Sequence, residues 1–223
     1  MTTLWLDFET RSQCDLKAHG VYNYAMDPTT EVLCMCCAFD DEEVQMLMRP
    51  TPAAVAMVLI QADQIRAHNA AFERLIIQHA LKIDVPLEQY YCTAAQARAN
   101  CMPGSLEDVG RFSGASMRKD HRGAELIRKL CIPKADGTFS EDPKLMQELF
   151  EYCAQDVRAM REISKSTRKL SDEELADYHI NERINDRGIR VDIELAEVAI
   201  KYAAQEQKEI DRKSTRLNSS HVK

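Results

Sequence analysis

Asp7 and Glu9 stand two residues apart inside the apolar run Leu4-Trp5-Leu6-Asp7-Phe8-Glu9-Thr10. A strand sends alternate side chains to opposite faces, so both carboxylates project from one side while Leu6 and Phe8 point to the other. Ionised carboxylates held this close repel each other and lose hydration, a cost that a core strand carries when a cation offsets it. The chemistry this points to is divalent-metal binding. The alternative is a strand end whose acids enter solvent.

Two further stretches bear on that choice. Tyr152 and Asp156 are four apart in a segment of helical period, so a phenol and a carboxylate share one face, with Leu149 and Val157 available to bury an adjacent stripe. His68-Asn69-Ala70-Ala71-Phe72-Glu73 brings an acid into the first turns of a helix expected over 70–81. Each pattern alone also describes an ordinary surface helix.

The elements that must position these groups follow from periodicity and punctuation. Strands are expected over 4–10, 31–39 and 43–48, the last two joined at Asp40-Asp41-Glu42, which starts the sheet antiparallel. Residues 11–28 read as a loop or short helix, and Pro52 opens a helix to residue 62. Short strands at 64–68 and 90–93 alternate with helices, including 94–101 and one capped by Ser105 with Asp108 in a capping-box position. A basic loop over 118–123 leads to a helix over 124–130, and Pro143 opens a long helix to about residue 169. Helices follow from Ser171 to Asp186, stopped at Arg187-Gly188, and from Asp192 to about Asp211. This order indicates a mixed three-layer α/β domain.

Composition narrows the class. The 223 residues are 45% apolar and 29% charged, which suits one compact domain with a modest extension. No run reaches the roughly 18 uncharged apolar residues that a membrane span needs, and a basic-then-apolar leader is absent from the start of the sequence, so a cytoplasmic protein is expected. The eight cysteines lie mostly in apolar segments and read as reduced, buried thiols. The C-x-x-C of Cys34 and Cys37 has no second Cys/His pair at zinc-site spacing. A net charge of −7 argues against a broad electrostatic hold on duplex DNA, but an acidic cleft offset by cations still accepts a strand end.

Taken together and in this order, Asp7-Phe8-Glu9-Thr10, His68 to Glu73, and Tyr152-Cys153-Ala154-Gln155-Asp156 resemble the motifs of the DEDD family of 3′-to-5′ exonucleases. Position 151, where the histidine subclass would need His, is Glu151, and Tyr152 precedes Asp156 by four, as in the tyrosine subclass. Pro103-Gly104-Ser105-Leu106-Glu107, Lys119-Asp120 with Gly123, and Ile184 to Asp192 look like the proofreading region of phage-type family A DNA polymerases.

The resemblance implies a ribonuclease-H-like fold over 1–168 and a helical extension over 169–211 similar to the start of a polymerase domain. The stretch 212–223 is basic and polar without an apolar period, and is expected to be a disordered or non-native tail. The resemblance also implies two divalent cations, Mg²⁺ or Mn²⁺, held by Asp7, Glu9 and Asp156 about 3.5–4 Å apart. Tyr152, with a free pKa near 10, would orient the attacking water. Glu73 stands where the family commonly has Asp, so its role as a direct or water-mediated ligand is open. Thr10, Asn69 and Phe72 become substrate-side candidates, the last two equally packing candidates, and His68 reads as structural. The expected substrate is a single-stranded or frayed DNA 3′ end, and the expected partner a polymerase domain missing from this chain. An RNA-trimming exonuclease of the same fold and a strand-binding module without catalysis are the alternatives.

Overall fold

The computed structural model describes the backbone of residues 1–113 and 122–220 and the side chains of residues 1–111 and 122–213. Five strands, β1 (Thr3–Arg11), β2 (Glu31–Phe39), β3 (Gln45–Met48), β4 (Gln64–Ala67) and β5 (Tyr90–Cys92), form one sheet in the order β3-β2-β1-β4-β5. β1 pairs antiparallel with β2 and parallel with β4. β2 and β3 are antiparallel, and β4 and β5 parallel. This is the mixed sheet with flanking helices of a ribonuclease-H-like α/β fold.

Alternation along β1 builds two cores. Leu4, Leu6 and Phe8 are buried with Tyr24 of α1 (Leu16–Met26), Val55 and Leu59 of α2 (Pro52–Leu59), and Leu75 of α3 (Ala71–Leu75). On the other face Trp5, Cys34 and Cys36 meet two helices that arrive much later in the chain. These are α6 (Arg122–Leu130) and α7 (Pro143–Ser166), which follow α4 (Thr93–Ala99) and α5 (Leu106–Ser113). Cover on both faces explains why β2 is buried along almost its whole length although it pairs antiparallel on both edges. Each fully buried Leu contributes about 1.5–3 kcal/mol.

α7 is the helix that ties the site to the core. Asp142 caps it, accepting from the N–H groups of Lys144 and Leu145, and Pro143 takes the first position, where no donor is needed. Leu149, Cys153, Val157 and Met160 are fully or almost fully buried at helical spacing against the sheet. That stripe fixes the rotation of the helix, and Tyr152 and Asp156 lie on the next one.

Local structure departs from expectation at several points. Residues 16–26, within the stretch expected to be a loop or short helix, form α1, which Asp15 caps through Lys17 and Ala18 and Gly20 at φ +77 kinks. The expected helix over 70–81 is a short α-helix followed by a π-helical turn, Ile76–Ala80. Ser105 Oγ accepts from Asp108 N–H at 3.2 Å, but Asp108 answers through the Ser105 hydroxyl, the shorter acid serving in place of the usual Glu. α6 already begins at Arg122. The Lys119-Asp120 motif lies outside the described residues.

The first compact unit runs from Met1 to Glu182, past the expected boundary near 168. The first part of α8 (Asp172–Arg187) is held to it by buried polar contacts. His179 Nε2 donates to Tyr90 O at 2.8 Å, and Arg74 pairs with Glu182 at 3.1 Å. In the second unit, Gly188 at φ +67 ends α8, and Asp192 caps α9 (Ile193–Ser220) through Leu195 N–H. α9 continues through residue 220, so the expected disordered tail is helical over most of its length. The sequence there is basic and polar and has no apolar period. No helix among the described residues is long and apolar enough to cross a membrane.

Candidate active site

The carboxylates of β1 face the α7 side of the sheet. Asp7 lies opposite Cys36 and Glu9 opposite Cys34, and the β1–β2 register then slips between Glu9 and Thr10. A bulge of this kind bends a strand and re-aims its side chains. Beyond it Thr10 turns to the other core, where its Oγ1 lies 2.9 Å from the Tyr24 hydroxyl.

The second segment enters from β4. Asn69 takes φ +70, a left-handed conformation that Asn tolerates better than most residues, and this turn starts α3 beside the end of the parallel β1–β4 pair. Glu73 is then 3% exposed in the first turn of α3, and its Oε2 has no hydrogen-bond partner. Burial and the neighbouring Asp7 push the Glu73 carboxyl well above the usual carboxylate range. An orphaned, buried acid oxygen beside a second acid is the arrangement a cation would complete.

The third segment is α7. Tyr152 is 7% exposed, and its phenol is pushed upward by burial, by Asp156, whose carboxylate accepts its hydrogen bond, and by Glu9 and Asp7. It therefore stays protonated at neutral pH and can donate or orient but not act as a base. A Cβ on Gly123 of α6 would stand 2.4 Å from Cε2 of Tyr152 and 2.9 Å from its hydroxyl. The glycine is what lets the ring lie against the α6 backbone.

A cleft of about 660 Å³ joins these segments. The acids Asp7, Glu9, Glu73 and Asp156 line it with Tyr152, and so do Thr10, Asn69 and Phe72. Asn69 is exposed and Phe72 half-buried, its ring 6.0 Å from that of Tyr24. His68 also reaches the wall, but Nε2 donates to Gly104 O at 2.9 Å and Nδ1 meets Thr93 Oγ1 at 3.0 Å, a ring tied into the scaffold. Sequence reasoning missed Leu16, Lys17, Tyr24, Ile127 and Ile132, which also line the cleft. They come from segments read as loop or as generic helix and carry no spacing signal of their own.

An all-oxygen donor set of carboxylates and a phenol suits hard cations such as Mg²⁺ or Mn²⁺ over zinc. Among the described residues, the trio whose ligand atoms all lie within 4.8 Å of one another is Cys34, Cys36 and Cys153. The acids are more widely set around the cleft, and closing them on an ion takes side-chain rotation.

The fold is that of a ribonuclease-H-like domain with an acidic cleft at the end of its central strand. No protein-family model matches the chain. In an alignment 218 positions long that covers 90% of its length, the chain is 34% identical to a protein named DNA polymerase from Bacillus phage SP02, and it spans 33% of that polymerase's length. The chain is thus related to a phage DNA polymerase over about a third of that protein.

Proposed function

We propose that the chain is a metal-dependent 3′-to-5′ exonuclease of the tyrosine subclass of the DEDD family, removing nucleoside monophosphates from DNA 3′ ends in the manner of polymerase proofreading. The observation that carries this reading is the unpartnered, buried Glu73 oxygen facing Asp7 in the cleft that Glu9, Tyr152 and Asp156 also line. Similarity to a protein named DNA polymerase favours DNA over RNA as substrate.

Asp7, Glu9 and Asp156 would hold the divalent cations, with Glu73 supporting them directly or through water. The bound ions would lower the pKa of the attacking water and stabilise charge on the leaving 3′-oxygen. The chain's own groups do the rest. Tyr152, protonated at neutral pH and donating its hydroxyl hydrogen to Asp156, keeps its oxygen lone pairs free to accept from a water and so fixes that water's orientation. Thr10, Asn69 and Phe72 border the space that a terminal nucleotide would occupy, Phe72 offering a ring face for a base. Lys17, exposed on the cleft wall, supplies positive charge for the phosphate backbone in a chain that is acidic overall.

The test is hydrolysis of 5′-labelled single strands, DNA beside RNA, in Mg²⁺ and in EDTA. The proposal expects a ladder that shortens from the 3′ end, with Mg²⁺, on DNA. Faster trimming of RNA would transfer the activity to RNA processing. Tight strand binding without cleavage in Mg²⁺ or Mn²⁺ would leave a binding module.

A further inference from the structure

Behind the acids lies a second cluster that phosphodiester hydrolysis does not use. Cys34 and Cys36 are two apart on β2 and share its α7-facing side, and Cys153 comes down from α7. All three are fully buried, and their sulfurs lie within 4.8 Å of one another. Cys36 Sγ–H donates to Phe150 O at 3.7 Å, and Cys153 Sγ–H donates to Asp7 O at 3.5 Å.

Three thiols converging on one point form a chelating set for a soft, thiophilic centre. Geometry and charge narrow which one. Zinc in a structural site asks for four donors, and the cluster holds three among the described residues. A monovalent or divalent cation bound by three thiolates leaves net negative charge in a dry core, directly across the strand from Asp7 and Glu9. A trivalent centre leaves none.

We propose that Cys34, Cys36 and Cys153 form a three-sulfur site for trivalent arsenic, taken up as neutral arsenous acid. Three arsenic–oxygen bonds break and three arsenic–sulfur bonds form. The three thiol protons leave with the hydroxyls as three waters, and arsenic remains trivalent throughout. Reagent and product are both uncharged, so neither entry through a transient opening of the core nor the final state places an ion in the interior. The product is a trigonal pyramid whose lone pair takes the fourth position, which is why three donors suffice. Capture removes the proton that Cys153 gives to the Asp7 carbonyl and ties α7 covalently to β2, so the site sits where it can disturb the cleft. The proposal does not rest on the nuclease reading.

The test uses the reduced full chain incubated with arsenite, desalted and weighed intact, with X-ray absorption at the arsenic edge. Wild type is expected to gain one arsenic and lose three hydrogens, with three sulfur neighbours in one shell. Cys37→Ala, on the same strand but in the opposite core, is expected to behave as wild type. Cys34→Ala, Cys36→Ala and Cys153→Ala should each weaken capture by more than the roughly 10–100-fold that loss of an outer-shell partner costs. Cadmium(II), the divalent comparison, should bind more weakly than arsenite. Absence of uptake by folded wild type, a two-sulfur shell, or equal loss in Cys37→Ala would each overturn the site. The absorption spectrum of wild type decides the matter even where a cysteine variant does not fold.

Discussion

Gly123 and Tyr152 are in contact through the one position on α6 where a side chain would not fit: a Cβ there would meet the Tyr152 ring at 2.4–2.9 Å. The far end of Tyr152 is not free to give way, because the ring is buried under α6 and its hydroxyl bonds to Asp156. Gly123→Ala should therefore lower both the melting temperature and the hydrolysis rate. In a Tyr152→Ala background the clash is gone, and the same substitution should raise the melting temperature, since Ala is favoured over Gly in a helix by about 1 kcal/mol. A loss of equal size in both backgrounds would remove the contact as the cause.

Tyr152→Phe keeps the ring and deletes the hydroxyl. The rate should fall roughly 10–100-fold, about 1.4–2.7 kcal/mol of barrier, while Asp156→Ala should cost more, because the phenol orients a water and the carboxylate would hold the ion that activates it. Single-turnover hydrolysis measures both. Equal and negligible effects would remove this segment from the mechanism.

Glu73 makes stability depend on pH in the absence of metal. Its folded pKa is raised above the ordinary 4.5 by burial and by Asp7. The folded state therefore holds the proton more tightly than the unfolded chain does, and stability falls as pH rises from about 4.5 through the raised value. In EDTA, Glu73→Gln should melt higher than wild type at neutral pH, with the gap closing toward pH 4.5. Mg²⁺ should narrow the gap at neutral pH by stabilising wild type. A variant that melts below wild type at neutral pH in EDTA would contradict the assignment.

The pair Arg74–Glu182 is 6% and 7% exposed, so a charge that loses this ion-pair partner cannot turn out into solvent to replace it. Glu182→Ala should cost about 3–5 kcal/mol in denaturant unfolding, whereas replacing both residues with apolar ones of similar volume should cost far less. A small effect of the single change would mean that the start of α8 is not anchored to the first unit by this pair.

How much of this was legible in the residues depends on the range of the interaction. Strict alternation placed Asp7 and Glu9 on one face, and helical spacing placed Tyr152 beside Asp156, because both signals are local. The bulge after Glu9 arises from pairing with β2, and the π-helical turn after Leu75 from packing under the sheet, so neither has a pattern of its own. Gly123 read as part of a loop, since its reason for being glycine is a ring on another helix. The cysteine trio was invisible for the same reason: Cys34 and Cys37 share a familiar spacing, but the sulfurs that meet belong to Cys34, Cys36 and a residue on α7.

The central claim is that the cleft acids hold divalent cations that hydrolyse DNA ends. The most direct measurement is release of nucleoside monophosphate from single-stranded DNA by wild type and Asp7→Ala across a Mg²⁺ titration, with melting temperature followed in parallel. Ions that bind only the folded acids stabilise by about 2.7 kcal/mol at a hundredfold over the dissociation constant, so wild type should gain stability and activity together while Asp7→Ala gains neither. Hydrolysis by Asp7→Ala at the wild-type rate, or by wild type in EDTA, would contradict the account.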